Sequence, residues 1–272
     1  MKKLILILFV ISCFSCEKEA NWKLNNAPLN KIVIEALLTN EQRAQTIKIS
    51  QTVQSLNDSA QMVSGALVQL IEGSNTIDLK EQVKKPGFYD TDSNFCAKPN
   101  VVYRLLVKYK DKSYTASAVM ATGFTNKTFQ YSYNAEMKLY KADWAIADYQ
   151  PLNPTMWEVY LDWTYLYGLS DTTIDSCNAK LNYFSLPNID VSQVFAPENE
   201  KVYFPKGTII WIRQYALSSE YAEYIRALLL ETKWRGGFLD SQPANVPSNF
   251  SNGALGFFSV CSVTNSLQYA GY

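Results

Sequence analysis

Alternation of apolar and polar positions is the dominant signal along this chain. Val101, Tyr103, Leu105, Val107 and Tyr109 fall on one face of an extended segment whose other face carries Arg104 and Lys108. Ile47 and Ile49 alternate with Lys48 and Ser50, and Ile32-Val33-Ile34 opens the folded part. This period of two predicts half-buried strands. Further short strands are predicted at 66–71, 76–83 and 114–120. Turn residues punctuate them at Gly73-Ser74-Asn75 and Pro86-Gly87. So many short strands in so few residues predict a β-sandwich over 31–120. Beyond "ATGFTNKT" (121–128) the alternation is strongest at 156–167. There Trp157, Val159, Leu161, Trp163, Tyr165 and Tyr167 oppose Glu158, Asp162 and Thr164. Residues 209–215 and 253–264 are predicted as further strands. One helix interrupts them. Ser218 is a natural N-cap, and Tyr221, Tyr224, Ile225, Leu228 and Leu229 recur at helical spacing. Arg235-Gly236-Gly237 should stop it, giving a helix at about 219–234. The fold expected is mainly β: an Ig- or transthyretin-like sandwich, then a larger β domain at 121–272 with one packed helix.

The first thirty residues follow neither period. Lys2 and Lys3 precede an unbroken apolar run from Leu4 to Ile11, then Ser12, Cys13, Phe14, Ser15 and Cys16. The run is far short of the ~20 apolar residues that span a bilayer. Positive start, short apolar centre and small residues before a cut are the layout of a secretory signal. A cysteine directly behind it points to a bacterial lipoprotein, acylated on that cysteine. Both Cys13 and Cys16 satisfy the pattern. Cys16 is preferred, with Cys13 the alternative, because it leaves a longer apolar run and is followed at once by Glu17-Lys18-Glu19. That charged triplet resembles an export tag for the outer face of the outer membrane. An ordinary secreted protein with a cysteine near its cut site is the competing reading. Acyl chains bind at ~0.8 kcal/mol per buried CH₂, so a lipoprotein's several chains give stable anchoring. The expectation is a signal peptide at 1–15, a lipidated tether at 16–30, and a protein held on the outer membrane at the cell surface.

Composition narrows the chemistry. Among 272 residues there are 25 basic and 25 acidic side chains, and no basic stripe, so nucleic acid is not an expected partner. There is no histidine. That excludes Ser-His-Asp and Cys-His catalysis, histidine-ligated zinc and histidine pH switching. Behind the anchor lie Cys96, Cys177 and Cys261. In an oxidising envelope a Cys177–Cys261 bridge is expected, both residues falling in the second domain; three buried free thiols are the equal alternative. No cofactor is implied.

Individual motifs add little chemistry. Asp90, Asp92 and Asn94 in "DTDSN" have the spacing that begins a calcium loop, but Phe95 stands where Gly is needed and Val101 where Glu is needed. A polar turn between strands is the better reading, and no metal is expected. The pairs Asp143/Asp148 and Glu198/Glu200 are what 25 acidic residues produce by coincidence, and a solvated surface is their default. No Gly-x-Ser-x-Gly or phosphate-binding loop is present. The stripe Trp157/Trp163/Tyr165 reads as a core face before a sugar platform. Trp144, in "KADWAIADY", breaks the alternation and is the aromatic singled out for ligand contact.

Two stretches carry a resemblance. "VSGALVQLIEG" with "KPGFYDT" (63–73 and 85–91) resembles the carboxypeptidase-regulatory-like, transthyretin-type sandwich of surface proteins. "YFPKGTIIWIRQYALSSEYAEYIRALLLET" followed by "GGFLDSQPANVPSNFSNGALGFFSV" (203–260), with "IVIEALLTNEQRAQTIKISQT" near the front, resembles the domain-of-unknown-function 4249 family of Gram-negative outer-membrane lipoproteins. Many members carry a longer tail with further cysteines. The resemblance implies a lipoprotein commonly encoded beside a TonB-dependent outer-membrane receptor, and it brings no assigned functional residues beyond Cys16. The function expected is a non-catalytic accessory or binding subunit of such an uptake system, with that receptor as partner. A structural or adhesive surface protein, and last a hydrolase working through carboxylates alone, are the alternatives.

Overall fold

The computed structural model describes residues 30–53, 57–123, 128–143, 152–166, 177–187, 201–232 and 245–272. Sixteen strands and one α-helix lie within them. A nine-stranded sheet contains β1 (Ile32–Thr39), β2 (Thr46–Gln51), β3 (Leu67–Glu72), β4 (Asn75–Asp78), β5 (Lys80–Glu81), β6 (Phe88–Asp90), β7 (Val102–Tyr109), β8 (Lys112–Ala121) and β15 (Leu255–Cys261). Their order is β4-β3-β7-β8-β15-β1-β2-β6-β5. Strand β8 pairs with β7 over 112–119 and with β15 only through Met120 and Ala121, so it forms a corner between two halves. Both halves feed one buried cluster. Ile34, Leu38, Ile47 and Ile49 come from one side, and Leu70, Tyr103, Leu105 and Val107 from the other. The packing is that of a β-sandwich, within the mainly β class expected.

The remaining strands form two smaller sheets. Strands β11 (Thr155–Asp162), β12 (Asn178–Ser185), β14 (Ile209–Ala216) and β16 (Val263–Tyr269) run antiparallel in the order β12-β11-β14-β16. Strands β9 (Tyr131–Asn134), β10 (Leu139–Ala142) and β13 (Tyr203–Phe204) make the third sheet. Val159, Leu161, Ile210 and Ile212 meet Phe129, Ala142 and Phe204 in a core shared by these two sheets.

The boundary expected at 120/121 is crossed by the chain itself. Strand β15 lies parallel to β1 over seven residue pairs, from Val33↔Leu255 to Thr39↔Cys261, inside the first sheet. One residue later β16 joins the four-stranded sheet. Ser262 is the link: its N–H donates to Ala121 O and its carbonyl accepts from Ala216 N, both at 2.9 Å. The region 121–272 is therefore not a separate second half, and 245–261 belongs with the sandwich. The predicted single strand 253–264 is two strands in two sheets. Gly256 makes the insertion possible. Its φ is +91°, and a Cβ there would lie 2.1 Å from Ile34 O. Only glycine lets β15 seat against β1 in this conformation.

Helix α1 (Ser219–Glu231) closes the joint. Ser218 Oγ accepts from Tyr221 N at 3.2 Å, the N-cap read from the sequence. The helix stops before the predicted Arg-Gly-Gly, which lies outside the described residues; Thr232 Oγ1 caps it by donating to Leu228 O at 2.7 Å. Ala222, Ile225 and Leu229 pack with Tyr215 and Leu217 of the four-stranded sheet side and with Cys261 of β15. Residues 245–254, which lead into β15, are tied down by side-chain hydrogen bonds. Asn249 acts as a one-residue strand: its Nδ2 donates to Phe258 O at 2.8 Å and its Oδ1 accepts from Phe258 N at 3.0 Å. Ser251 and Asn252 tie the same loop to the backbone of Thr115 and Ser113.

Candidate functional site

The expected site residues are dispersed. Cys13, Cys16, Trp144, Asp148, Glu198 and Glu200 lie outside the described residues. Cys177 and Cys261 do not form the expected bridge. Both are free buried thiols, Cys177 in the core between the two smaller sheets and Cys261 under the helix at the end of β15. The pairing rested on both belonging to one domain, and β15 carries Cys261 into the other sheet. Burial pushes the Cys261 thiol up to about 12, partly offset by its contact with Ser259, so it is an unreactive core thiol at neutral pH. Half-buried Cys96 donates to Asn40 O at 3.0 Å.

The "DTDSN" stretch is a turn. Asp92 Oδ1 accepts from Asn94 N at 2.9 Å, while Asp90 accepts from Thr46 and Gln82. Trp157 and Trp163 are buried, as a core stripe requires. Tyr165 leaves that stripe because the chain turns into a short 3₁₀ segment (Thr164–Leu166), and its hydroxyl donates to Gly207 O.

Among the described residues, a concave surface lies on the opposite face of the same sheet. Cross-strand register arranges that face in rows. Asn178, Asp162, Ile209 and Tyr269 form one row; Lys180, Tyr160, Trp211 and Leu267 form the next. Then come Asn182, Glu158, Arg213 and Asn265, and finally Phe184, Met156, Tyr215 and Val263, against which helix α1 packs. The first two rows are open to solvent, with Trp211, Leu267 and Tyr269 exposed. A groove of about 790 Å³ lies over them, walled on one side by Glu41 and Arg43 from the β1–β2 loop.

That wall is held by a buried glutamine. Gln45 Oε1 accepts from Thr39 N at 3.2 Å, and its Nε2 donates to Glu41 O at 3.0 Å. Arg43 N donates to Phe95 O, and Asn40 Oδ1 accepts from Val263 N at 2.7 Å. The loop from the sandwich is thus pinned onto the other sheet.

A network of charges sits at the floor. Arg213 donates through Nε and Nη2 to Glu41 and through Nη1 to Glu158 at 2.8 Å, and its guanidinium lies 5.1 Å from the Tyr215 ring centre. Glu158 also accepts from Tyr215 OH at 2.6 Å and from Lys180 Nζ at 2.7 Å. Lys180 in turn stands 4.9 Å over the Tyr160 ring. Burial opposes the charge on Glu41, but hydrogen bonds and charge from Arg213, with Asn265 and Arg43, outweigh it and hold the carboxyl below its ordinary range. Glu158 is likewise disfavoured by burial and brought below the usual range by Lys180, Tyr215 and Arg213. Burial, then the hydrogen bond to Glu158, pushes the Tyr215 phenol up. Carboxylates held ionised in this way are fixed acceptors at neutral pH rather than proton donors.

Sequence reasoning passed over this groove. Its signal was a phase anomaly: Tyr160 shares the polar phase of β11 with Glu158 and Asp162, and Trp211 shares that of β14 with Arg213. A large aromatic on the polar side of an alternating strand is a surface aromatic.

These sheets define a β-sandwich protein joined to a second antiparallel layer, with a mixed aromatic and charged groove at the junction. Residues 17–266 match the family model described as Domain of unknown function (DUF4249), and the chain belongs to that family. No curated protein matches it.

Proposed function

We propose that this chain is a lipid-anchored binding protein of the outer membrane, serving as an accessory subunit of a TonB-dependent uptake system without chemistry of its own. Acylation at Cys16 places the anchor one residue before the family match begins at 17. The observation that carries the binding role is the groove. Exposed Trp211 and half-buried Tyr160, on adjacent strands, stand beside charged groups already fixed by one another. Such a surface is prepared before its ligand arrives, which lowers the ordering cost of binding. The stretches resembling a transthyretin-type sandwich contribute β3 and β6, so in this reading the sandwich is the scaffold that delivers the Glu41–Arg43 wall.

A C-terminally tagged chain purified in gentle detergent from its own outer membrane tests this, with Cys16→Ala as control. A TonB-dependent receptor should co-purify in near-stoichiometric amount with the wild type and be lost with the variant. Recovery of the wild type alone would refute the accessory role.

A further inference from the structure

The chemistry of the groove selects among ligand classes. Arg43, Lys180 and Arg213 are matched there by Glu41, Glu158 and Asp162, and Arg213, Lys180 and both glutamates are tied directly to one another. The local field therefore sums to nearly zero, and neither an anion nor a cation finds an uncompensated partner. A lipid chain needs an unbroken apolar trough. Here the aromatic row lies between the row of Asp162 and Asn178 and the row of Glu158 and Arg213. An extended peptide binds by its backbone along a strand edge, whereas this groove opens over side chains on the face of a sheet.

What remains is a neutral molecule with flat C–H surfaces and many hydroxyls. We infer that the groove binds a neutral oligosaccharide, one sugar ring lying over Trp211, the next against the part of Tyr160 that Lys180 leaves uncovered, and its hydroxyls meeting Arg43, Lys180 and Asp162. This deepens the binding role proposed above and rests on it. Trp211 is 52% exposed and stands across from Tyr160 on the neighbouring strand. Strands lie about 4.8 Å apart, comparable to the length of one sugar ring, so adjacent aromatics offer successive platforms across the sheet. Charged donors and acceptors at the rim make stronger hydrogen bonds to hydroxyls than neutral ones do. Because the floor network already holds Lys180 in place, part of the ordering needed for recognition precedes binding.

Calorimetric titration of the full-length protein, in a detergent without a sugar head group, tests the inference. The probes are neutral hexasaccharides of glucan, xylan, mannan and chitin type. At least one should bind, and Trp211→Ala or Tyr160→Ala should weaken it by about tenfold or more, each ring being a large contact surface. Trp211→Phe should keep most of the affinity, which separates loss of the ring from misfolding. Tyr133→Ala, at an exposed aromatic on the three-stranded sheet, should change nothing. Raising salt from about 50 to about 500 mM should alter a neutral ligand's affinity by less than about twofold. Failure of every saccharide to bind would overturn the inference, as would binding indifferent to both aromatic substitutions. A steep loss with salt would overturn it in favour of an anionic ligand. A receptor that co-purifies without any saccharide binding leaves the accessory role standing and removes this one; the reverse result removes only the receptor.

Discussion

Arg213 is the residue on which the junction turns. Its side chain is 13% exposed and serves two carboxylates, Glu158 on the neighbouring strand and Glu41 on the β1–β2 loop, whereas Lys180, on the same network, is 45% exposed. Removing one partner of a largely buried ion pair leaves an uncompensated charge. Arg213→Ala should therefore cost about 3 kcal/mol in chemical denaturation. Lys180→Ala should cost under about 1 kcal/mol, because water replaces what it provides. The pH response follows from the same groups. Glu41 and Glu158 are held below their ordinary value of 4.5 in the folded protein. Their contribution is complete above that value and is withdrawn as pH falls below it, since the unfolded chain then binds more protons. The thermal midpoint should drop between about pH 5 and about pH 3, and a Glu41→Gln/Glu158→Gln protein should show a shallower drop over the same interval.

Among the elements, β15 is the most constrained. It lies parallel between β1 and β8, with Gly256 pressed on the backbone of Ile34 and Asn249 completing the hydrogen bonds of Phe258. Gly256→Ala should destabilise by about 3 kcal/mol or prevent folding, because both the positive φ and the collision with a main-chain oxygen oppose a side chain. Asn249→Ala should cost about 2 kcal/mol by leaving a buried N–H and C=O without partners. Denaturant midpoints of the two variants would check both. The strands legible in the sequence were those with one buried and one wet face, such as β7 and β11. Strand β12 was passed over although Ala179, Leu181 and Tyr183 alternate with Asn178, Lys180 and Asn182: the apolar phase is short and contains one strongly hydrophobic residue, Leu181, so the signal is weak beside that of β7 or β11. Strands β9, β10 and β13 are too short to display one. The groove was hidden for a different reason. Its parts come from the β1–β2 loop and from β11, β12 and β14, and only tertiary pairing brings them together.

Among the described residues, the sandwich and the four-stranded sheet are sewn together by β15 and β16. Pairing β15 with β1 and β16 with β14 places Asn40 in hydrogen-bond contact with Val263, 223 positions away. A chain terminated after Ala254 should therefore lose cooperative unfolding in the sandwich as well as in the four-stranded sheet. Hydrogen exchange would read this as loss of protection in β1 and β8, although neither strand is altered.

The place of β15 also dictates the order in which the protein is completed. During synthesis the residues of β1 and β8 emerge long before those of β15, yet each must keep a side open for it. Until residues 255–261 arrive, the first unit presents two unsatisfied edges of the kind that recruit stray strands. The unit whose sequence comes first is thus the one finished last. A chain still open at its centre is exposed to stray pairing along β1 and β8 until residues 255–261 close those edges.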